Sequence, residues 1–263
     1  MTTSAPDLIV LHEHPEWQKP LFAALERRGV SFAPFDVTRA AFSNVEPPRA
    51  SLYFNQASPS AYVRGHTRAV PLALAYMRSL ELLGARVLNG ADVFALELSK
   101  SAQATLLRTL GIDCPRSITF NDVSALRAYA GGVQWPALLK PDQGGSGARI
   151  QVVESLSQVE EIFRTSPDVW LPDNLFLLQE YLPHDPDRGI VRLEFLGGEL
   201  LYASRAVIDK VKPGQCEALT VHGSPKRICV KDTKEPVAHS DQTLQQITDI
   251  LRAKLPSLAP LAP

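Results

Sequence analysis

Pro136-Ala137-Leu138-Leu139-Lys140-Pro141-Asp142-Gln143-Gly144-Gly145-Ser146-Gly147-Ala148-Arg149-Ile150 is the stretch on which the reading of this chain turns. An apolar run closes on Lys140. A loop of small residues follows, with three glycines and a serine. The apolar pattern then resumes at Ile150-Gln151-Val152-Val153. This predicts a strand, a loop and a return strand. A loop without bulky side chains lets backbone N–H groups approach an anion closely, and a lysine at the strand end can set an ammonium on a phosphate. Lys140 alone reads as a solvated strand-end lysine, and the glycines alone as a hairpin turn needing positive φ. Together they favour phosphate contact. The order is not that of a P-loop, because Lys140 precedes the glycines and no Gly-Lys-Ser/Thr opens a helix.

Outward from that stretch the chain divides by pattern. On the N-terminal side Leu8–Leu11, Ser31–Val37, Ser51–Asn55 and Arg86–Asn89 read as strands. Helical spacing lies between them over Pro15–Arg28 and Arg64–Leu83. This alternation predicts an α/β layer with a parallel sheet over residues 1–90. Residues 91–174 form a second region, read as βαββα. A single helix is expected over Ala91–Leu110, a strand over Ser117–Phe120, and a helix capped by Asn121 or Asp122. The Lys140 hairpin follows, then a helix capped by Ser155 or Ser157. Residues 175–263 form a third region, with a strand over Leu175–Leu182 and a hairpin over Ile190–Leu196 and Glu199–Ile208. The pattern weakens beyond Lys210, a last helix is expected over Gln242–Lys254, and the tail is rich in proline.

Composition narrows the function classes. The chain has 263 residues, 45% hydrophobic and 21% charged, with a net charge of −1. No basic field favours nucleic acid. No apolar run reaches membrane-spanning length, and the start lacks the pattern of a signal peptide. Three scattered cysteines, Cys114, Cys216 and Cys229, form neither a disulfide framework nor a metal spacing, so a reducing cytoplasm is expected.

Several other residues carry possible chemistry. Lys100 could add a second cation on the same phosphates, although a solvated helix lysine is the ordinary reading. Gln179-Glu180-Tyr181-Leu182 follows four apolar residues and could border a nucleotide base, or be an edge strand with a surface acid. Asp187 could accept from a ribose hydroxyl, or only form its turn. Arg192 and Arg205 sit on adjacent predicted strands. Each needs a partner, either Glu194 or Glu199 or a phosphoryl group that a guanidinium fork suits. Arg64-Gly65-His66 is placed at the opening of the long N-terminal helix, where an arginine suits an anionic group. His66 has the chemistry of a general base, but no sequence neighbour orients it. His12 and His14 follow the first strand, a common ligand position in α/β sheets.

The ordered set Leu98-Ser99-Lys100, Gly111-Ile112-Asp113-Cys114-Pro115, Pro136–Pro141, Gly144–Gly147, Gln179–Leu182 and Val191–Phe195 resembles the ATP-grasp superfamily. Within it the chain looks most like the glutamate-ligase-like carboxylate–amine ligases. The resemblance covers about half the chain, roughly Leu88 to Ile208. It implies a clamp on ATP with magnesium. Lys100, Lys140 and the loop Gly144, Gly145, Ser146 and Gly147 would take the phosphates. Gln179, Glu180, Tyr181, Leu182 and Asp187 would take the nucleoside, and Arg192 and Arg205 the phosphoryl or acyl phosphate. Arg64 would sit near the acid substrate. The implied reaction phosphorylates a small-molecule or peptide carboxylate, after which an amine attacks the acyl phosphate. After Ile208 the sequence shows no strands carrying the family's Asp and Glu-x-Asn for magnesium. Asp232, Glu235 and Asp241 stand in other contexts, so a fold incomplete at its C-terminus is expected. A non-catalytic nucleotide-binding module or a truncated inactive product is the alternative.

Overall fold

The structure is a computed structural model and describes residues 5–145, 147–183, 190–196, 199–210 and 228–231. It divides into two compact units, and the chain passes between them repeatedly.

The first unit holds Met1–Gln103, Pro141–Ala148 and Trp170–Leu175. Its sheet is parallel, with β1 (Leu8–His12), β2 (Phe32–Asp36), β3 (Leu52–Asn55) and β4 (Arg86–Leu88) in the order β2-β1-β3-β4. All five residues of β1 are buried, as expected for a central strand covered on both faces. Helix α1 (Pro15–Arg27) connects β1 to β2, and α2 (Ala69–Leu82) connects β3 to β4. Ala69, Val70, Ala73, Tyr76, Met77 and Leu80 of α2 pack with Ile9, Leu11 and Tyr53 of the sheet. Tyr76 stacks on Phe35 with centroids 4.7 Å apart, and burial pushes its hydroxyl up to about 12. The chain leaves β1 towards β2 on one side while β3 lies on the other. A crevice beyond the carboxyl ends of β1 and β3 is the usual ligand position of such sheets.

Two helices before Ser117 differ from the sequence expectation. The long N-terminal helix does not begin at Arg64. Pro59–Arg64 is a 3₁₀ turn capped by Ser58, whose Oγ accepts from Ser60 N at 3.2 Å. Gly65 then takes φ +81, a left-handed conformation that costs glycine little, and α2 starts only at Ala69. The run Ala91–Leu110 breaks at Ser99 into α3 (Ala91–Leu98) and α4 (Lys100–Thr109). Ser99 is extended, and its Oγ accepts from Ala102 N at 3.1 Å. A serine that satisfies the amides of a new first turn starts a helix rather than continuing one.

The second unit holds Ala104–Lys140, Arg149–Val169 and the described residues from Phe176 onward. Strands β5 (Ser117–Phe120), β6 (Ala137–Pro141), β7 (Gln151–Val153) and β8 (Phe176–Glu180) form a sheet in the order β5-β8-β6-β7. The β6/β7 hairpin and the β5/β8 pair are antiparallel. Helix α5 (Leu156–Thr165) is capped by Ser155, whose Oγ accepts from Gln158 N at 3.3 Å. Phe163 meets Phe176 edge-on at 5.0 Å and Phe120 at 5.5 Å. Where a capped helix was expected after Asp122, a 3₁₀ turn over Val123–Ala128 forms, with Asp122 as its cap.

The same unit contains a second, antiparallel sheet of β9 (Ile190–Leu196), β10 (Glu199–Lys210) and β11 (Ile228–Lys231). The sequence predicts the β9/β10 hairpin but not β11, which pairs with the far end of β10 from Val207 to Lys210. The expected helix over Gln242–Lys254 lies outside the described residues.

Candidate functional site

In the first unit, polar residues gather beyond β1 and β3. Glu13 follows β1 directly and is 1% exposed. Its carboxylate accepts from Arg64 Nη2 and, at 3.3 Å, from Arg64 Nε. The planar guanidinium fork matches the two carboxylate oxygens. Arg64 Nη1 donates to Ser60 Oγ at 3.1 Å, and the guanidinium lies 4.5 Å from the Trp17 ring centroid. His14 stacks on that indole at 4.5 Å. His66 Nδ1 stands 3.1 Å from Glu13 Oε2. The loop carrying Ser58 and Ser60 is held by Asn55 at the end of β3, whose Oδ1 accepts from Ala57 N at 3.0 Å while Nδ2 donates to Asn89 O at 3.2 Å.

The glycine loop reaches the same ledge. A Cβ on Gly145 would stand 2.7 Å from Ser60 Cβ, so only glycine fits without a shift. Gln143 Nε2 donates to Pro59 O at 3.3 Å. A Cβ on Gly144 would lie 3.0 Å from Lys100 Nζ, which puts the predicted cation against the predicted loop. Lys100 Nζ donates to Pro141 O at 2.9 Å and Asp142 O at 2.8 Å. Burial holds its amine below the usual lysine range, against the pull of Asp142 and Asp173. Asp142 Oδ1 accepts from Ser101 N at 2.7 Å. Asp173 Oδ2 accepts from Gln143 N at 2.7 Å, and burial pushes the Asp173 carboxyl up. The start of α4 and the entry to the glycine loop are thus tied together through charge-assisted and backbone hydrogen bonds.

In the second unit, Lys140 Nζ donates to Gln179 Oε1 at 2.6 Å, joining neighbouring strands β6 and β8. Glu180 N donates to Arg116 O at 2.8 Å, and Glu180 Oε2 accepts from Arg116 N at 3.2 Å, so this acid closes the end of the β5/β8 pair. Tyr181 is half-buried and Leu182 is 54% exposed. A cavity of about 370 Å³ opens beside this strand end, lined among others by Arg108, Arg116, Tyr129, Val133, Gln179 and Glu180. In the backbone register Arg192 stands opposite Ser204, and Arg205 opposite Val191.

Of the residues singled out by sequence, Arg64, Lys100, Gly144 and Gly145 come together in the first unit, whereas Lys140, Gln179 and Glu180 come together in the second. Gly147 has φ +67 in the same loop. Ser146 and Asp187, with the side chains of Arg192 and Arg205, lie outside the described residues. Arg64 is not at a helix N-terminus, because the 3₁₀ turn and Gly65 intervene. Glu13, Ser60 and Trp17 escaped the sequence reading. The one legible signal was an acid at the end of an otherwise apolar strand.

No family profile and no curated protein sequence matches the chain. Solved structures do. The crystal structure of a RimK domain protein ATP-grasp from Sphaerobacter thermophilus is 17% identical, with a TM-score of 0.58, over 75% of this chain and 72% of that one. The ATP-grasp ligase PsnB, complexed with a minimal precursor, is 21% identical with a TM-score of 0.57, over 94% and 82%. The D-cycloserine synthetase DcsG is 14% identical with a TM-score of 0.66, over 95% and 82%. The chain has the ATP-grasp fold. Within that fold, the parallel sheet with its glutamate–arginine ledge and the Lys140 hairpin are the two parts that carry candidate chemistry.

Proposed function

We propose that this ATP-grasp chain is an ATP-dependent carboxylate–amine ligase acting on a small-molecule or peptide acid. The observation that carries the reading is the ledge of the first unit. There the Lys100 ammonium borders Gly144, Gly145 presses on Ser60, and Ser60 accepts from Arg64. A cation and a glycine loop of the kind that handles phosphates stand one residue away from Arg64, whose guanidinium already pairs with Glu13, so an acid substrate would have to share it. In this reading Lys100, Lys140 and Gly144–Gly147 take the phosphates of ATP, Gln179–Leu182 and Asp187 its nucleoside, Arg192 and Arg205 the acyl phosphate, and Arg64 the acid. Positioning and charge neutralisation supply most of the catalysis in such transfers. Lys100 is already satisfied by two carbonyls, so ATP would have to draw it off them.

The neighbours include a PsnB complex with magnesium and ADP. Among the described residues here, no group of three or more His, Cys, Asp or Glu side chains is disposed to hold a metal ion. Magnesium is commonly held by one or two carboxylates together with the phosphates of its nucleotide, so it is assigned no residue and no step among the described residues.

The test is thermal unfolding with and without ATP and magnesium, followed by ADP release in mixtures of acids and amines. A ligase raises its midpoint with ATP and releases ADP only when both substrates are supplied. Stabilisation without ADP in any mixture identifies a nucleotide-binding module instead, and no stabilisation at all removes the reading.

A further inference from the structure

His66 lies 53 residues from Glu13 in sequence, yet its Nδ1 rests on that buried carboxylate. Glu13 accepts from Arg64 Nε and Nη2 and offers Oε2 to the imidazole. A carboxylate only accepts, so in the neutral ring Nδ1 carries the hydrogen and Nε2 presents the lone pair. Glu13 cannot turn away, being 1% exposed and held by Arg64, which is itself braced by Ser60 and Trp17. The His66 side chain is 36% exposed, against 1% for Glu13. A ring fixed at one nitrogen by a buried acid, with the other nitrogen available, is the arrangement of an oriented general base. The cluster borders the glycine loop through Ser60, which accepts from Arg64 and packs against Gly145.

We propose that His66 is the proton acceptor for the attacking amine, with Glu13 as its positioning residue. This rests on the ligase reading above. Near neutral pH an alkyl amine is chiefly ammonium and has no lone pair to attack with. In the step assigned here the ammonium nitrogen gives one proton to His66 Nε2. Its freed electron pair forms the C–N bond at the acyl-phosphate carbonyl, and the C–O bond breaks as inorganic phosphate leaves with its electron pair. The second proton lost from nitrogen and the one held on His66 pass to solvent. Arg64 already neutralises Glu13, so the carboxylate orients the ring without being consumed as its counter-ion.

The test has two arms on the full chain. Nitrogen-15 spectra of histidine-labelled protein, with His66 assigned by its loss in His66→Gln, read the neutral tautomer. Hydrogen on Nδ1 is expected, with a weaker preference in Glu13→Gln. Hydrogen on Nε2 in the wild type overturns the proposal and leaves the ligase reading standing. The second arm measures ADP release with ATP, magnesium and the protein amino acids and short peptides of them as acid donors, comparing methylamine with hydroxylamine, which is already unprotonated near neutral pH. His66→Gln is expected to lower the methylamine rate about a hundredfold more than the hydroxylamine rate. An equal loss with both amines overturns the base. No ADP from the wild type with any pair overturns the ligase reading and the role of His66 with it, whatever the tautomer.

Discussion

At the residue scale, Glu13 is the centre of the first unit's polar ledge. Its carboxylate serves Arg64 and His66 from a position with 1% exposure. Removing one partner from such a pair leaves an uncompensated charge in a poorly hydrated place. Glu13→Ala is expected to cost about 3 kcal/mol of stability in urea unfolding, and Glu13→Ala/Arg64→Ala less than the sum of the single changes. Additive losses would show that the two side chains do not share their energy. His12, one residue earlier, tests the same end of β1 by pH. It is 4% exposed, and burial holds its imidazole below the usual value against the pull of Asp36 and Glu13. Below about pH 6.5 the unfolded chain binds a proton that native His12 refuses. The sign follows from that difference: this residue costs no stability above the unfolded value and progressively more as pH falls beneath it. Melting temperature against pH should therefore fall less steeply on the acid side in His12→Leu than in the wild type.

Elements here are set by short polar groups at their ends. Ser99 splits what looked like one helix, because its hydroxyl caps α4 where the apolar spacing continues unbroken. Ser58 and Gly65 bound the 3₁₀ turn that delivers Arg64 and His66 to Glu13. The glycine loop is shaped by what it packs on, since the space for a Cβ on Gly145 is already filled by Ser60. Gly145→Ala is expected to cost about 2 kcal/mol through overpacking. Ser60→Gly in the same chain should return part of that loss, read as the midpoint of urea unfolding. Failure of the second change to help would mean that the loop does not rest on Ser60.

Over the whole molecule, two units are woven from one chain. The first takes Pro141–Ala148 and Trp170–Leu175 from the region that otherwise builds the second. The strand bearing Lys140 therefore runs into a loop anchored elsewhere, and Asp142 binds Ser101 across 41 residues. Ligand binding to the native state alone stabilises it by mass action, about 2.7 kcal/mol at a ligand concentration a hundredfold above Kd. ATP at saturation should raise the melting temperature, and Lys140→Ala should abolish most of that rise while leaving the ATP-free midpoint within a few degrees. A full rise in Lys140→Ala would take this lysine out of the nucleotide site.

The order of strands β1 to β10, the hairpin at Lys140 and the glycine loop were legible in the sequence, because they follow from local period and turn chemistry. Period and spacing act over a few residues, so they also located Leu8–Leu11 as a buried strand and narrowed the cap of α5 to Ser155 or Ser157, of which the structure takes Ser155. They could not find β11, whose four residues are defined by pairing with β10. Nor could they join Glu13 to Arg64 and His66, which are 51 and 53 residues away. A candidate base looked unoriented until the parallel sheet brought the ends of β1 and β3 side by side. Local sequence determines which groups are available, but contact between groups far apart in the chain is decided by the packing of the sheet.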